Sequence, residues 1–510
     1  MKTRKSFKNS VWAMISNTFS ILIGLVAQSL FLKILSVEYL GINGLFSNII
    51  SMLGIVELGI GNAIIYNLYK PLVKEDHKTI KKLLNFYKKS YRLIGIIVFC
   101  LGMIILPFLN IFIGKVNINI NIKIVYILFI LDITFSYFLS YKRSILYADQ
   151  KNYIINIIHI IYLVLMNSSQ LLVLYFTKNY YLYLIIKIIF RILENVIISI
   201  IVNKQYEYIN DNNNEELDEE IKNDIFTKIK ALFFHKIGSF VVNGTDNLVI
   251  SKYLGVVTVG LYSNYYLIIN SVQTLFGQVL AGTTASVGHL LVENNPQKSY
   301  NVFKNLRFIN FWIATFAGVS ISIIMNPFIT LWIGQKYLLP IETLLILTFN
   351  FYLKMMTNCY SIYKETAGIF KEDRFVPIIE SIINIIFSII LVKQIGLSGV
   401  FIGTIISSLC YWLYSYPKFI YKGLFKKNYF DYIKENIGYL LLFSLILIIS
   451  TLISIILKQN NIISTFIINI LISVFVPNVI IFVLFIKDEK LKFIFNTLKK
   501  ILKRGEKYEN

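Results

Sequence analysis

Residues 39–48 read YLGINGLFSN, and residues 253–264 read YLGVVTVGLYSN. Both stretches begin with YLG and end with a glycine, a leucine, an aromatic residue, a serine and an asparagine. The same order therefore recurs about 215 residues later. A recurrence this specific indicates that the chain contains two copies of one unit.

Two further pairs of short motifs keep the same order at a spacing of about 220 residues. They are Pro107-Phe108 with Ile113-Gly114 against Pro327-Phe328 with Ile333-Gly334, and Tyr141-Lys142 against Tyr363-Lys364. Equivalent points are separated by about six predicted helices, and an even number of membrane crossings preserves orientation. The pattern therefore predicts two parallel repeats, which is typical of transporters that work by alternating access.

The composition places the whole chain in lipid. Its 510 residues are 56% hydrophobic, and the mean hydropathy is +0.65. A helix needs roughly 20 apolar residues to cross a hydrocarbon core of about 30 Å. On this criterion the sequence predicts an all-α integral membrane protein of about fourteen spans. The spans are 11–32, 40–66, 93–113, 122–141, 153–177, 181–202, 231–254, 260–290, 308–329, 338–362, 375–393, 397–417, 437–457 and 463–486. The span 260–290 is long enough to be tilted in the membrane, or broken at Gly277 or Gly282.

The net charge of +22 follows membrane topology. Most of the lysine and arginine residues lie in alternate connecting segments and in the two termini, which is the distribution of the positive-inside rule. We therefore predict that both termini face the cytoplasm, and we expect no nucleic-acid partner. Repeat and charge together predict the following division: 1–202 and 231–422 as six-helix bundles, 203–230 as an acidic cytoplasmic linker, 423–486 as two additional spans and 487–510 as a basic tail.

Ionisable residues inside predicted spans are the candidate functional residues of the first half, because a charge in lipid needs a partner or a wet cavity. Lys187, Arg191 and Glu194 follow helical spacing and share one face. We expect Arg191 to line a cavity rather than only to pair with Glu194. Glu57, between Gly54 and Gly61, is interpreted either as a helix-packing carboxylate or as a coupling or gating group.

Further ionisable groups in both halves extend this set. Asp132 is a candidate coupling group, and His159 could titrate near neutral pH or could simply be a hydrogen-bonded packing residue. In the second half, Asp246 and Lys354 lie in polar stripes, with the alternative that the two neutralise each other. The polar residues that accompany them are Lys236, Ser239, Asn243, Asn350, Thr357 and Asn358.

Motifs for several other functions are missing from the sequence. It has no phosphate loop, no H-E-x-x-H and no Cys or His pairs at metal-ligand spacing. Cys100, Cys359 and Cys410 all fall inside predicted spans, so a disulfide framework is not indicated. We therefore expect no cofactor, no ATP hydrolysis by this chain and no enzymatic activity.

The stretches GLFSNIISMLGIVELGIGNAIIYNLYKPL (Gly44–Leu72) and VNGTDNLVISKYLGVVTVGLYSNY (Val242–Tyr265) resemble the polysaccharide transporter, or Wzx-type flippase, family of the multidrug/oligosaccharidyl-lipid/polysaccharide exporter superfamily. The resemblance extends over the chain in span number, loop length and duplication. It implies a V-shaped pair of six-helix bundles in the bacterial cytoplasmic membrane. The implied substrate is an undecaprenyl-diphosphate-linked oligosaccharide, which is moved from the inner to the outer leaflet.

The resemblance also assigns roles to the candidate residues. The implied substrate-binding residues are Arg191, Lys187, Lys354, Lys236, Asn243 and Asn350, and the implied ion-coupling or gating residues are Glu57, Asp132, Asp246 and His159. Membrane lipids, H+ or Na+, and polysaccharide polymerase machinery are the implied partners. Because Arg191 is the one arginine inside the predicted spans, we expect a neutral or weakly charged repeat unit.

Two other functions compete with this interpretation. The first is an ion-coupled multidrug or cation antiporter of the same superfamily, which would have fewer spans and a more acidic cavity. The second is a membrane-bound polysaccharide polymerase or ligase. Such enzymes carry a large external loop with catalytic residues, whereas every external loop predicted here is short.

Overall fold

The computed structural model describes residues 2–57, 60–113, 118–209, 217–219, 221–223, 225–226, 244–293, 295–369 and 372–493. These residues form helices, turns and short connections, and none of them lies in a β-strand. Contacts divide the chain into a first unit, Met1–Gly260, and a second unit, Leu261–Asn510.

The first unit contains ten helices among its described residues. They are α1 (Lys2–Ile34), α2 (Val37–Leu53), α3 (Ile60–Val73), α4 (His77–Ile105), α5 (Leu109–Phe112), α6 (Ile122–Tyr137), α7 (Arg143–Ala148), α8 (Asn152–Thr177), α9 (Tyr180–Gln205) and α10 (244–254). Short 3-10 turns cover Gly54–Glu57, Leu106–Phe108, Ser140–Lys142 and Glu207–Ile209.

The remaining helices belong to the second unit, except that the first five residues of α11 still lie in the first unit. They are α11 (Val256–Ala281), α12 (Thr284–Val292), α13 (Pro296–Trp332), α14 (Ile341–Thr366), α15 (Val376–Ile395), α16 (Leu397–Cys410), α17 (Tyr429–Ile456) and α18 (Ile462–Phe485). A π-helix over Tyr411–Leu424 extends α16, and a 3-10 turn covers Gln335–Tyr337.

Nine helices of the described part are long and apolar enough to cross a membrane. They coincide with nine of the predicted spans. α9 also coincides with a predicted span, but it carries Lys187, Arg191 and Glu194 and is therefore less apolar. Of the predicted span 231–254, only residues 244–254 are described.

The surface of α17 shows why these helices belong in lipid. Its exposed apolar side chains recur at helical spacing along one face, and each is more than half exposed: Leu441, Leu445, Ile448, Leu452 and Ile455. A stripe of this length would be unfavourable in water, and it fits the hydrocarbon core of a bilayer. The chain is an all-α, multi-pass integral membrane protein.

The segment predicted to be the second span of each repeat is interrupted. α2 ends at Leu53 and Gly54–Glu57 form a 3-10 turn, so the prediction of one continuous helix over 40–66 is wrong. Two tyrosines of α4 hold the interrupted segment: Tyr87 donates a hydrogen bond to the Gly61 carbonyl at 2.7 Å, and Tyr91 donates one to Glu57 at 2.8 Å. In the other repeat, α11 ends at Ala281 and a turn follows at Gly282, so the break predicted there is confirmed.

Two glycines of the duplicated motif explain why it contains glycine. A Cβ atom on Gly41 would overlap the carbonyl oxygen of Val256, and one on Gly260 would overlap the carbonyl oxygen of Val37. The start of α2 and the start of α11 therefore cross with backbone against backbone. Only glycine allows this approach.

In the second unit, a buried ion pair attaches α17 to α13. Arg307 on α13 is 1% exposed, and it donates hydrogen bonds to Glu435 on α17 and to the Tyr421 hydroxyl. Tyr300 also donates a hydrogen bond to Glu435. Arg191 was expected to be the one intramembrane arginine. That expectation is wrong, because the second unit has Arg307 in the apolar helix Pro296–Trp332.

α18 is attached to the same helix. Trp312 donates a hydrogen bond to Asn478 at 2.6 Å, and Asn469 donates one to the carbonyl of Ile323 at 2.7 Å. α13 thus carries contacts to both C-terminal helices.

Candidate functional site in the first unit

A cavity of 320 Å³ lies inside the first unit. Its walls come from the segment around the 3-10 turn before α3, and from α4, α6, α7 and α9. The charged side chains on the described part of its lining are Glu57, Arg143 and Arg191, and tyrosine and serine hydroxyls and Asn195 supply much of the remaining polar lining. The cavity therefore offers two guanidinium groups and one carboxylate inside a membrane helix bundle.

Arg191 faces this cavity and is ion-paired at the same time. Its Nε atom lies 3.5 Å from Asp132, and its Nη1 atom lies 3.7 Å from Glu194. Lys187, one turn earlier on α9, lies 3.0 Å from the other oxygen of Asp132. The predicted cluster on one face of α9 is thus found in the structure, with Asp132 of α6 as a shared partner.

Glu194 is the centre of the network. Its side chain is fully buried, with Arg143 Nη2 at 3.2 Å and His159 Nδ1 at 2.9 Å. Arg143 also donates a hydrogen bond to Asn195 at 2.7 Å. A carboxylate taken out of water is stable only when opposite charges and donors surround it, and α7, α8 and α9 each supply one here.

Arg143 is the main residue that sequence reasoning missed. The predicted spans leave it in the connecting segment after the fourth span, yet the helical segment Ile122–Ala148 contains it and it lines the cavity with Arg191. The signal that could have found it is the repeated Tyr-Lys motif directly before it. In each copy the lysine is tied into the protein: Lys142 donates to Ser199 at 2.7 Å, and Lys364 forms an ion pair with Asp373.

The charges of the described residues at this site are balanced. On and beside the cavity the cations are Arg143, Lys187 and Arg191, and the anions are Glu57, Asp132 and Glu194. Each guanidinium already has a carboxylate partner. An entering anion would therefore have to replace a carboxylate as the partner of a guanidinium group. A phosphate group can do this, because its oxygens accept the same pair of hydrogen bonds from guanidinium that a carboxylate accepts.

The remaining predicted residues lie elsewhere. Asn350 donates a hydrogen bond to the Phe401 carbonyl at 2.9 Å, so its amide joins α14 to α16. Lys354 is exposed on α14, and Asp246 is partly buried on α10. Lys236, Ser239 and Asn243 lie outside the described residues. Binding roles for these residues stay predictions.

The structure resembles solved transporters along most of its length. The lipid II flippase MurJ in an inward closed conformation is 17% identical, with a TM-score of 0.63, and the match covers 94% of this chain and 99% of that one. An inward-facing multidrug resistance MATE transporter of the MOP superfamily is 16% identical, with a TM-score of 0.58, over 76% of this chain and 91% of that one.

A third solved structure gives the same result. The Vibrio cholerae MATE transporter VcmN is 11% identical, with a TM-score of 0.55, over 83% of this chain and all (100%) of that one. At these identities the likeness concerns the fold. A search of proteins with curated function finds no match.

The sequence itself matches a protein family. The family described as polysaccharide biosynthesis protein matches residues 30–342, which is more than half of the chain. This match shows that the chain belongs to the polysaccharide biosynthesis protein family.

Proposed function

We propose that this protein is a flippase for a lipid-linked oligosaccharide and that it performs no catalysis. The substrate is an undecaprenyl-diphosphate-linked repeat unit, which moves from the inner to the outer leaflet of the bacterial cytoplasmic membrane by an alternating-access cycle. The product would feed the polymerase machinery of a surface polysaccharide. Both termini would face the cytoplasm.

The observation that carries this proposal is that Arg143 and Arg191 line the same cavity and that Glu194 pairs with both. A diphosphate loses strong hydration when it leaves water, and it needs several cationic donors in return. Two guanidinium groups supply planar pairs of N–H donors that match phosphate oxygens. Two arginines favour an anionic substrate more strongly than a single arginine would.

The ion pairs give the cavity a stable resting state between transport cycles. In that state Asp132 and Glu194 neutralise the two arginines, so none of these four charges is left alone in lipid. When the diphosphate binds the guanidinium groups of Arg143 and Arg191, Asp132 and Glu194 lose these ion-pair partners. The two carboxylates would then bind a cation instead. Uptake of H+ or Na+ at Asp132 or Glu194, with His159 as the neighbouring base, would couple transport to an ion gradient.

The test is a leaflet-exchange assay in vesicles that contain the purified protein. A fluorescent prenyl-diphosphate oligosaccharide would be reduced by membrane-impermeant dithionite, and the fraction protected would be followed over time. We expect exchange above that of empty vesicles, slowed strongly by Arg143→Gln and less by Arg143→Lys. Arg92→Gln is the control, because Arg92 is exposed and does not line the cavity.

Two results would reject the proposal. Exchange no faster than in empty vesicles would exclude flipping of this substrate class. Export of cationic dyes in exchange for H+, abolished by Asp132→Asn, would instead assign the chain to the antiporters.

A further inference from the structure

A second pocket lies at the lysine-rich end of α4. Its volume is 510 Å³, and α4, Ile60 and the described linker residues Leu217, Lys222 and Phe226 line it. Three lysines, Lys82, Lys89 and Lys222, stand among mainly apolar side chains. This pocket is separate in its lining residues from the arginine-lined cavity, and the proposed function makes no use of it.

The residues that line the pocket continue a stripe along α4. At the polar end of α4, helical spacing places three pocket residues on one face: Lys82, Phe86 and Lys89. The same face continues with four exposed apolar side chains: Leu93, Ile97, Leu101 and Ile104. Leu93 and Ile104 are about 16 Å apart along the helix axis at 1.5 Å per residue. This length is about half of a hydrocarbon core of roughly 30 Å, which is the depth of one leaflet.

The lysines are arranged to hold an anion at the mouth of the pocket. The side chains of Lys82 and Lys222 are only 19% and 20% exposed, and both line the pocket, so much of each aliphatic stem is covered by the protein. Lys89 is exposed and has no ion pair with another residue that the structure describes. A ligand with an anionic head and an apolar tail fits this arrangement.

Acidic residues of the linker occupy part of the mouth. Asp218 lies 3.2 Å from Lys82, and Glu219 lies 2.8 Å from Lys222. Both carboxylates are mostly exposed, so these are weak surface ion pairs that a competing anion can displace. The linker therefore places an internal competitor next to the pocket.

We propose that this pocket binds one anionic glycerophospholipid, with the phosphate at Lys82, Lys89 and Lys222 and an acyl chain along Leu93 to Ile104. Asp218 competes with the headgroup for Lys82. Charge complementarity selects anionic over zwitterionic headgroups, and the apolar stripe beginning at Leu93 excludes a free phosphate as a comparable ligand.

Native mass spectrometry of the full chain in detergent tests this proposal, with dioleoyl phosphatidylglycerol and dioleoyl phosphatidylcholine at equal concentration. We expect one bound phosphatidylglycerol in excess over phosphatidylcholine. Lys89→Gln should weaken its retention about fivefold, and Asp218→Asn should strengthen it by a similar factor. Lys74→Gln is the control, because Lys74 is also exposed but lies outside the pocket.

Lys89 is exposed and unpaired among the described residues, so Lys89→Gln should not disturb folding. Equal retention of the two lipids, or retention unchanged in both Lys89→Gln and Asp218→Asn, would overturn the proposal. A second measurement adds a prenyl monophosphate at the same concentration as phosphatidylglycerol. Selective retention of the prenyl monophosphate would overturn the proposal as well, because the pocket would then belong to the path of the transported lipid.

Discussion

The guanidinium group of Arg143 lies 3.2 Å from the carboxylate of Glu194, a side chain with no exposed surface. Arg143 begins the short helix α7 and Glu194 lies in the middle of α9, so the pair joins two elements that are distant in sequence. The same carboxylate contacts Arg191 and His159. Glu194 therefore sets the position of both cavity arginines.

The coupling between Arg143 and Glu194 can be measured directly. We expect Glu194→Gln to destabilise the protein more than Arg143→Gln, because it removes one buried charge that serves two arginines. The double variant should recover part of the loss, with a coupling free energy of about 1–3 kcal/mol. Unfolding in mixed micelles, followed by circular dichroism, measures it. Additive effects of the two substitutions would contradict a direct pair.

Arg191 should matter for transport more than for insertion. Arg191→Ala removes donors that the diphosphate would use, so leaflet exchange should fall about tenfold or more, while the amount of protein in the membrane stays close to wild type. Immunoblotting of membrane fractions checks the second point. If the variant is absent from the membrane, Arg191 is structural and its role in binding is lost.

The crossing of α2 with the start of α11 should tolerate no side chain. Gly41→Ala and Gly260→Ala each force a Cβ atom into a backbone carbonyl, and each should lower the melting temperature of the purified protein by several degrees. Gly277→Ala is the matched control on α11, because a Cβ atom there would meet no described neighbour within 4 Å beyond its own stretch of helix. That substitution should be neutral or slightly stabilising. Equal effects at all three glycines would argue against a tight crossing.

Glu435 should hold α17 on α13. Glu435→Ala leaves the buried Arg307 without its carboxylate, which should cost about 3 kcal/mol of the free energy of unfolding. Lys434→Ala, next to it but exposed, should change stability little. Limited proteolysis near residue 428 should become faster in the first variant alone. Unchanged stability of Glu435→Ala would mean that Arg307 finds other partners.

The stability of the N-terminal end of α4 should depend on pH. Asp76 accepts hydrogen bonds from the backbone N–H and the hydroxyl of Thr79, and these bonds lower the pKa of the Asp76 carboxyl below its usual range. A lowered folded-state pKa means that the stabilisation is present above the unfolded-state pKa of about 3.9 and is lost as the pH falls through the folded-state value. Asp76→Ala should therefore lower the free energy of unfolding by about 1 kcal/mol at pH 7. Below pH 4 the free energies of unfolding of the variant and the wild type should differ less. A difference that is independent of pH would show that the cap does not act through the ionised carboxylate.

Part of the site could be predicted from the sequence. Lys187, Arg191 and Glu194 follow 3.6-residue periodicity on one helix, and their common face could be predicted because the spacing alone defines it. Asp132 and His159 could be proposed only as isolated charges in apolar runs. Their meeting with α9 depends on how α6 and α8 pack, which no local pattern specifies.

The membrane class, the duplicated halves and the apolar spans follow from the chain's run lengths and repeated motifs, because a helix in lipid must satisfy its own backbone and must be long enough to cross. The interruption at Gly54–Glu57 and the presence of Arg143 in the cavity came only from tertiary structure. Hydrophobicity determines which segments enter the membrane, whereas side chains on neighbouring helices, such as Tyr91 and Glu194, determine where a helix breaks and which charges meet.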